Sequence, residues 1–171
     1  MGFGLFRKKR PFVRLDPVDH PVLGRLEPDP QISGELAGSV TLNGATIELR
    51  IEPGEDTLEA TLASASHAVT SLADLDARCR ALAAAEFLGS YNSDWRFGAR
   101  DQADGTTETF EKPLLDAAGF AAALQPVALD VRGARSLGLS YGDGDMFWGH
   151  WVRVGSFDGP GFEDTHVSLE G

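Results

Sequence analysis

The clearest pattern in the chain is an alternation in which Ile47, Leu49 and Ile51 are separated by Glu48 and Arg50. A period of two predicts a strand with one buried and one wet face. "ISGELAGSVTL" and "ATIELRI" flank Asn43-Gly44, whose tolerance of positive φ predicts a type I′ hairpin between them. "HPVLGRL" adds a short strand before the break at "PDP". After Pro53-Gly54 the period changes. Leu58, Leu62, Ala65, Val69 and Leu72 recur at threes and fours, the spacing of one helical face. Ser71 followed by Asp74 predicts a fresh N-cap, and Leu75, Cys79, Leu82, Ala83 and Phe87 form a second stripe ending near Gly89.

"SYNSDWRFGARDQADGTTETF" shows no period and reads as a connection anchored by Trp95. "LLDAAGFAAALQP" allows a short helix that Pro126 stops. Four strand candidates follow: "VALDVRG", "SLGLSYGDGD", "MFWGHWVRV" and "THVSLEG". The expectation is an α+β fold. An antiparallel sheet, made of an N-terminal hairpin and a C-terminal meander, carries two to three helices on one face. Residues 1–11 read as a flexible basic tail and 12–171 as a single domain.

Charge sharpens the picture. The formal net charge is −11, but Arg7, Lys8, Lys9 and Arg10 crowd the first ten residues. Without them 11 basic side chains face 26 acidic ones, a body charge of −15. Such a surface repels phosphate backbones, which excludes nucleic acid as the expected partner, and favours a basic protein. One short basic arm binds a membrane weakly, so membrane contact through the tail is not expected. No apolar run approaches the roughly 20 residues that a spanning helix needs. The N-terminal charges follow the apolar residues, the reverse of a secretory signal, and the lone Cys79 fits a reducing cytoplasm.

Candidate chemistry concentrates in "YGDGDMFWGHW". Asp143 and Asp145 are too few for a hard-cation site, and no metal or cofactor motif occurs elsewhere. Read as a strand from Met146, the segment puts Met146, Trp148 and His150 on one face and Phe147, Gly149 and Trp151 on the other; the period cannot say which is buried. His150 with Asp143, Asp145, Glu163 or Asp164 would make an acid–base pair, a hydrolase reading that competes with a structural hairpin. His67 reads as a surface histidine and Cys79 as a buried thiol. The leading expectation is a non-catalytic, acidic protein-binding module. Its candidate contact residues are Tyr91, Trp95, Asp143, Asp145, Trp148, His150 and Trp151.

"VLGRL", the Asn-Gly hairpin, "YNSDW" and "DMFWGHWVRVGSFDG…THVSLEG" resemble an uncharacterised bacterial domain family of small cytoplasmic α+β proteins. Phe147, Gly149, His150, Gly159 and Gly171 carry the resemblance, with Asn92 and Trp95 in support, over about residues 20–171. It implies the fold and an immunity-like role, and no catalytic residues.

Overall fold

The computed structural model describes residues 12–159 and 161–171; the basic tail lies outside them. The Asn-Gly hairpin forms as its sequence predicts. Asn43 and Gly44 take φ of 50° and 84°, joining β3 (Leu36–Leu42) to β4 (Ala45–Glu52). Before them β1 (Val18–His20) pairs with β2 (Gly24–Pro28), and β2 with β3. The C-terminal strands are β7 (Gln125–Arg132), β8 (Ser136–Gly142), β9 (Trp151–Ser156) and β10 (Thr165–Glu170). All eight form one sheet in the order β1-β2-β3-β4-β7-β8-β9-β10. The fold is α+β. Every junction is antiparallel but one: β4 and β7 run parallel, because the chain crosses back through the helices before adding β7.

Helix α1 (Leu58–Thr70) starts at Thr57, whose hydroxyl accepts from the Ala60 amide, and α2 (Leu72–Ser90) follows after one residue. The break at Ser71 matches the sequence reading, but its capping role does not. The Ser71 hydroxyl donates back to the His67 carbonyl at 3.0 Å, so it closes α1 instead of capping α2. His67 is exposed. Helix α3 (Ala117–Ala123) is capped by Asp116 and packs on α2. The helices bury one face of the sheet, where Ile47, Leu49, Ile51, Leu129, Val131, Leu139 and Val154 interlock. The opposite face, bearing Arg50, Asp130, Arg153 and Glu170, is open.

A buried polar knot fastens α2 to this core. Asp76 is 3 % exposed; Arg80 Nε donates to both its oxygens at 2.9 Å and the Tyr141 hydroxyl donates at 3.0 Å. Arg80 also donates to the Ala121 and Leu124 carbonyls, satisfying the end of α3. Burial first, and the Asp76 charge second, push the neighbouring Cys79 thiol up to about 12, so it stays protonated and inert. Removing one partner would strand a buried charge. Arg80→Ala is expected to cost about 3–5 kcal/mol in urea unfolding.

On the open face Glu35 is 6 % exposed, and burial, then the Asp29 charge, hold its carboxyl above the ordinary value. The folded state therefore binds this proton more tightly than the unfolded chain. Its contribution to stability is present at low pH and lost as pH rises from about 4.5 through the raised folded value. Glu35→Gln should raise the melting temperature at pH 7, with the gain fading toward pH 4. Melting curves across that range check it.

Candidate functional site

The segment from Asp143 to His150 is a loop, not the first half of a strand. Strand β9 begins only at Trp151. The strand reading of Met146–His150 fails because Asp143 imposes another geometry. Its carboxylate is 6 % exposed and accepts from the amides of Asp145 (3.0 Å), Phe147 (2.7 Å) and Gly149 (3.0 Å). Those bonds curl the chain round one side chain, the local competition that makes aspartate a loop former. The curl needs left-handed backbone at Gly144, Asp145, Trp148 and Gly149, with φ of 57°, 68°, 60° and 86°. Two of these are not glycine, which marks stored strain.

The curl separates the aromatics. Phe147 is fully buried and is the hub of a cluster in which Phe87, Tyr91, Trp95 and Phe120 each meet its ring edge-on, at 5.5 to 6.2 Å between centroids. Trp148, one residue on, points outward and is 45 % exposed. It lies on a ribbon absent from the sequence reading. The aperiodic stretch after Trp95 forms a hairpin of β5 (Phe97–Asp101) and β6 (Thr107–Glu111). The connection expected there hides the signal Asp104-Gly105, a turn with Gly105 at φ 81° between short strands.

Gly98 is the seat for Trp148. A Cβ there would lie 2.3 Å from the indole, so only glycine lets the ring reach the ribbon. Phe110 flanks the indole at 5.4 Å, and the Lys112 ammonium sits 4.4 Å from its ring centre. Lys112 also donates to the Asp145 carbonyl and lies 3.2 Å from the Asp145 carboxylate. The ribbon thus clamps the loop from outside while Phe147 anchors it from within.

The seven candidate residues sort accordingly. Asp145, Trp148 and Trp151 are at the surface, although Trp151 stands on the open sheet face. Trp95 and His150 are partly buried against each other, 5.6 Å between rings. Tyr91 and Asp143 are interior, with the Tyr91 hydroxyl donating to the Pro113 carbonyl, so neither side chain can be a contact. His150 Nδ1 lies 2.5 Å from the Phe147 carbonyl, which can only accept, so Nδ1 carries the proton. The imidazole packs on Gly171, where a Cβ would lie 2.6 Å from it.

The carboxylates named for His150 are engaged or distant. Asp143 serves the loop amides and Asp145 meets Lys112. Glu163 and Asp164 precede Thr165, which pairs with Ser156 at the far end of β9, roughly 17 Å of strand away. The cross-hairpin pairing that the competing hydrolase reading requires fails on register. Among the described residues no group of three or more histidine, cysteine, aspartate or glutamate side chains could hold a metal.

Against this geometry, the profile of the DUF2262 family, uncharacterised proteins conserved in bacteria, matches residues 20–166. The chain belongs to this family. Neither a curated protein nor a solved structure matches it. The matched span of this DUF2262 protein runs from β1 into β10 and includes the Asp143 loop and the ribbon that seats Trp148. Among the described residues no helix is long and apolar enough to cross a membrane.

Asp143→Asn replaces one acceptor oxygen by a donor facing amides. It is expected to cost about 1–3 kcal/mol and to loosen the loop. Urea unfolding measures the cost, and a change in tryptophan emission reports the release of Trp148.

Proposed function

We propose that this DUF2262 protein is a non-catalytic, acidic protein-binding module of the cytoplasm, immunity-like in blocking or sequestering a basic partner protein. The observation that carries the reading is Trp148. Its backbone is strained, the loop that carries it is anchored by buried Asp143 and Phe147, and almost half of its surface faces solvent. An exposed tryptophan held rigid loses little freedom on binding, which is the property of an interface hot spot.

The surroundings give the charge of the partner. Asp101, Asp104 and Glu108 crown the ribbon tip, and none of them joins an ion pair among the described residues. Thr106 donates to Asp104 through hydroxyl and amide and holds its carboxyl below the ordinary range, so it stays ionised. Of the ribbon's cations, Arg96 pairs with Glu111 and Lys112 with Asp145, while Arg100 lies over the Phe110 ring, so three carboxylates outnumber one uncommitted cation. A basic surface would be steered to the tip and would meet Trp148 on docking.

The test is capture from source-cell extract with a C-terminally tagged chain, washed at low and high salt. The expected result is a stoichiometric basic protein whose association slows with salt. Trp148→Ala should weaken binding by about 2 kcal/mol, chiefly in dissociation, and neutralising Asp101, Asp104 and Glu108 should slow association. Unchanged binding in both variants, or no retained partner at either salt, contradicts the reading.

A further inference from the structure

The strand registers bring five residues of the open face into one row. Arg50 faces Asp130, Asp130 faces Gly138, Gly138 faces Gly155, and Gly155 faces His166. The row has side chains at its ends and only backbone at its centre. Two glycines side by side on one face cut a trench into a sheet whose other residues stand a side chain high. The trench is filled at one end. A Cβ at Gly138 would lie 2.7 Å from Arg153 Nη2 and 3.0 Å from its Cζ, so the guanidinium lies flat on that glycine. Asp130, 5 % exposed, fixes it there by accepting from Nη1 at 2.6 Å. Over Gly155 the floor is open, because a Cβ there would meet only the Leu137 carbonyl, at 3.4 Å.

What remains is a cavity of about 490 Å³ walled by Arg132, Arg153, Phe157, His166 and Ser168, and by Glu170, whose carboxylate accepts from the Ser168 hydroxyl. This is the size of a small-molecule site. Its donors converge. Arg132, 65 % exposed, lines the cavity, and its Nε lies 3.3 Å from Glu52. Arg153 commits Nη1 to Asp130, and its Nε is 4.0 Å from Glu170, so Nη2, lying over Gly138, is its uncommitted group next to the open floor at Gly155. His166 is exposed at the far rim, and Phe157, 63 % exposed, supplies an apolar wall. Planar guanidinium forks suit carboxylate and phosphate oxygens, and a side-chain-free floor suits a flat group.

We propose that this trench binds a small molecule that carries an oxyanion, carboxylate or phosphate, on a flat apolar group. The oxyanion sits between Arg132, Arg153 and His166, and the flat group lies on Gly155 against Phe157. The site is separate from the ribbon surface, at the other end of β9 from the Asp143 loop, and does not rest on the protein-binding reading.

The experiment titrates the intact chain with phenyl phosphate, benzoate and inorganic phosphate while NMR follows its histidine rings. His166 should shift saturably with phenyl phosphate or benzoate, and the tighter of the two identifies the anion. His20, His67 and His150 should stay still. Arg132→Gln, at a largely exposed position that spares the fold, should weaken binding about tenfold or more. Gly155→Leu should abolish it by filling the floor. No saturable His166 shift with any probe, equal shifts of all four histidines, or undiminished binding in Arg132→Gln overturns the proposal. Inorganic phosphate binding as tightly as phenyl phosphate overturns the flat-group half of it.

Discussion

One buried carboxylate organises the functional end of this protein. Asp143 gathers three amides at 2.7 to 3.0 Å and so decides that the aromatic run after it is a curl. A strand would have sent Phe147 and Trp148 to opposite faces of the sheet. The curl instead sends Phe147 into a pocket between α2, the π-helical turn Tyr91–Trp95 and α3, and leaves Trp148 lying on the β5–β6 ribbon. Left-handed backbone at Asp145 and Trp148 costs about 1–2 kcal/mol per residue. Burying a phenylalanine among four other rings offsets it, with about 0.5–1.5 kcal/mol per aromatic pair beyond area burial. The strain is affordable because its anchor is in the core.

The sheet divides the remaining work between its faces. Beneath the helices the chemistry is closed: Asp76, Arg80 and Tyr141 satisfy one another, and Cys79 is held protonated. On the open face the arginines are shared with carboxylates, so that face carries both signs of charge. The uncompensated acid is found elsewhere, on the ribbon tip and along exposed helix positions such as Glu59, Asp74 and Glu86. A net charge of −11 is therefore unevenly spread, and the trench over Gly155 sits in one of the less acidic neighbourhoods.

How far the sequence could be read depended on whether local pattern or distant contact decided each element. The alternation at Ile47, Leu49 and Ile51 and the Asn-Gly turn are local, and both form as expected. The α2 stripe holds, including burial of Cys79, but α1 buries Thr61, Ser64, Ala65 and Ala68, with Leu58, Leu62 and Val69 only partly covered at the flanks. The ribbon was illegible because its strands are wet on both faces, which erases the alternation. The parallel β4–β7 junction pairs residues about eighty apart and leaves no local trace. Within the site, composition points to the right eleven residues, but a period of two carries no trace of a carboxylate that gathers amides and curls the chain. Hence Asp143 and Tyr91 read as contacts in the sequence although they are interior, while Gly98, Phe110 and Lys112, which seat the tryptophan, carry no local signal.

Native-state hydrogen exchange of the wild-type amides bears most directly on the central claim, that a buried carboxylate holds the loop rigid and displays Trp148. Phe147 and Gly149 should exchange as slowly as neighbouring β8 amides, despite lying outside any strand. Exchange at both positions as fast as in a free loop would contradict the account.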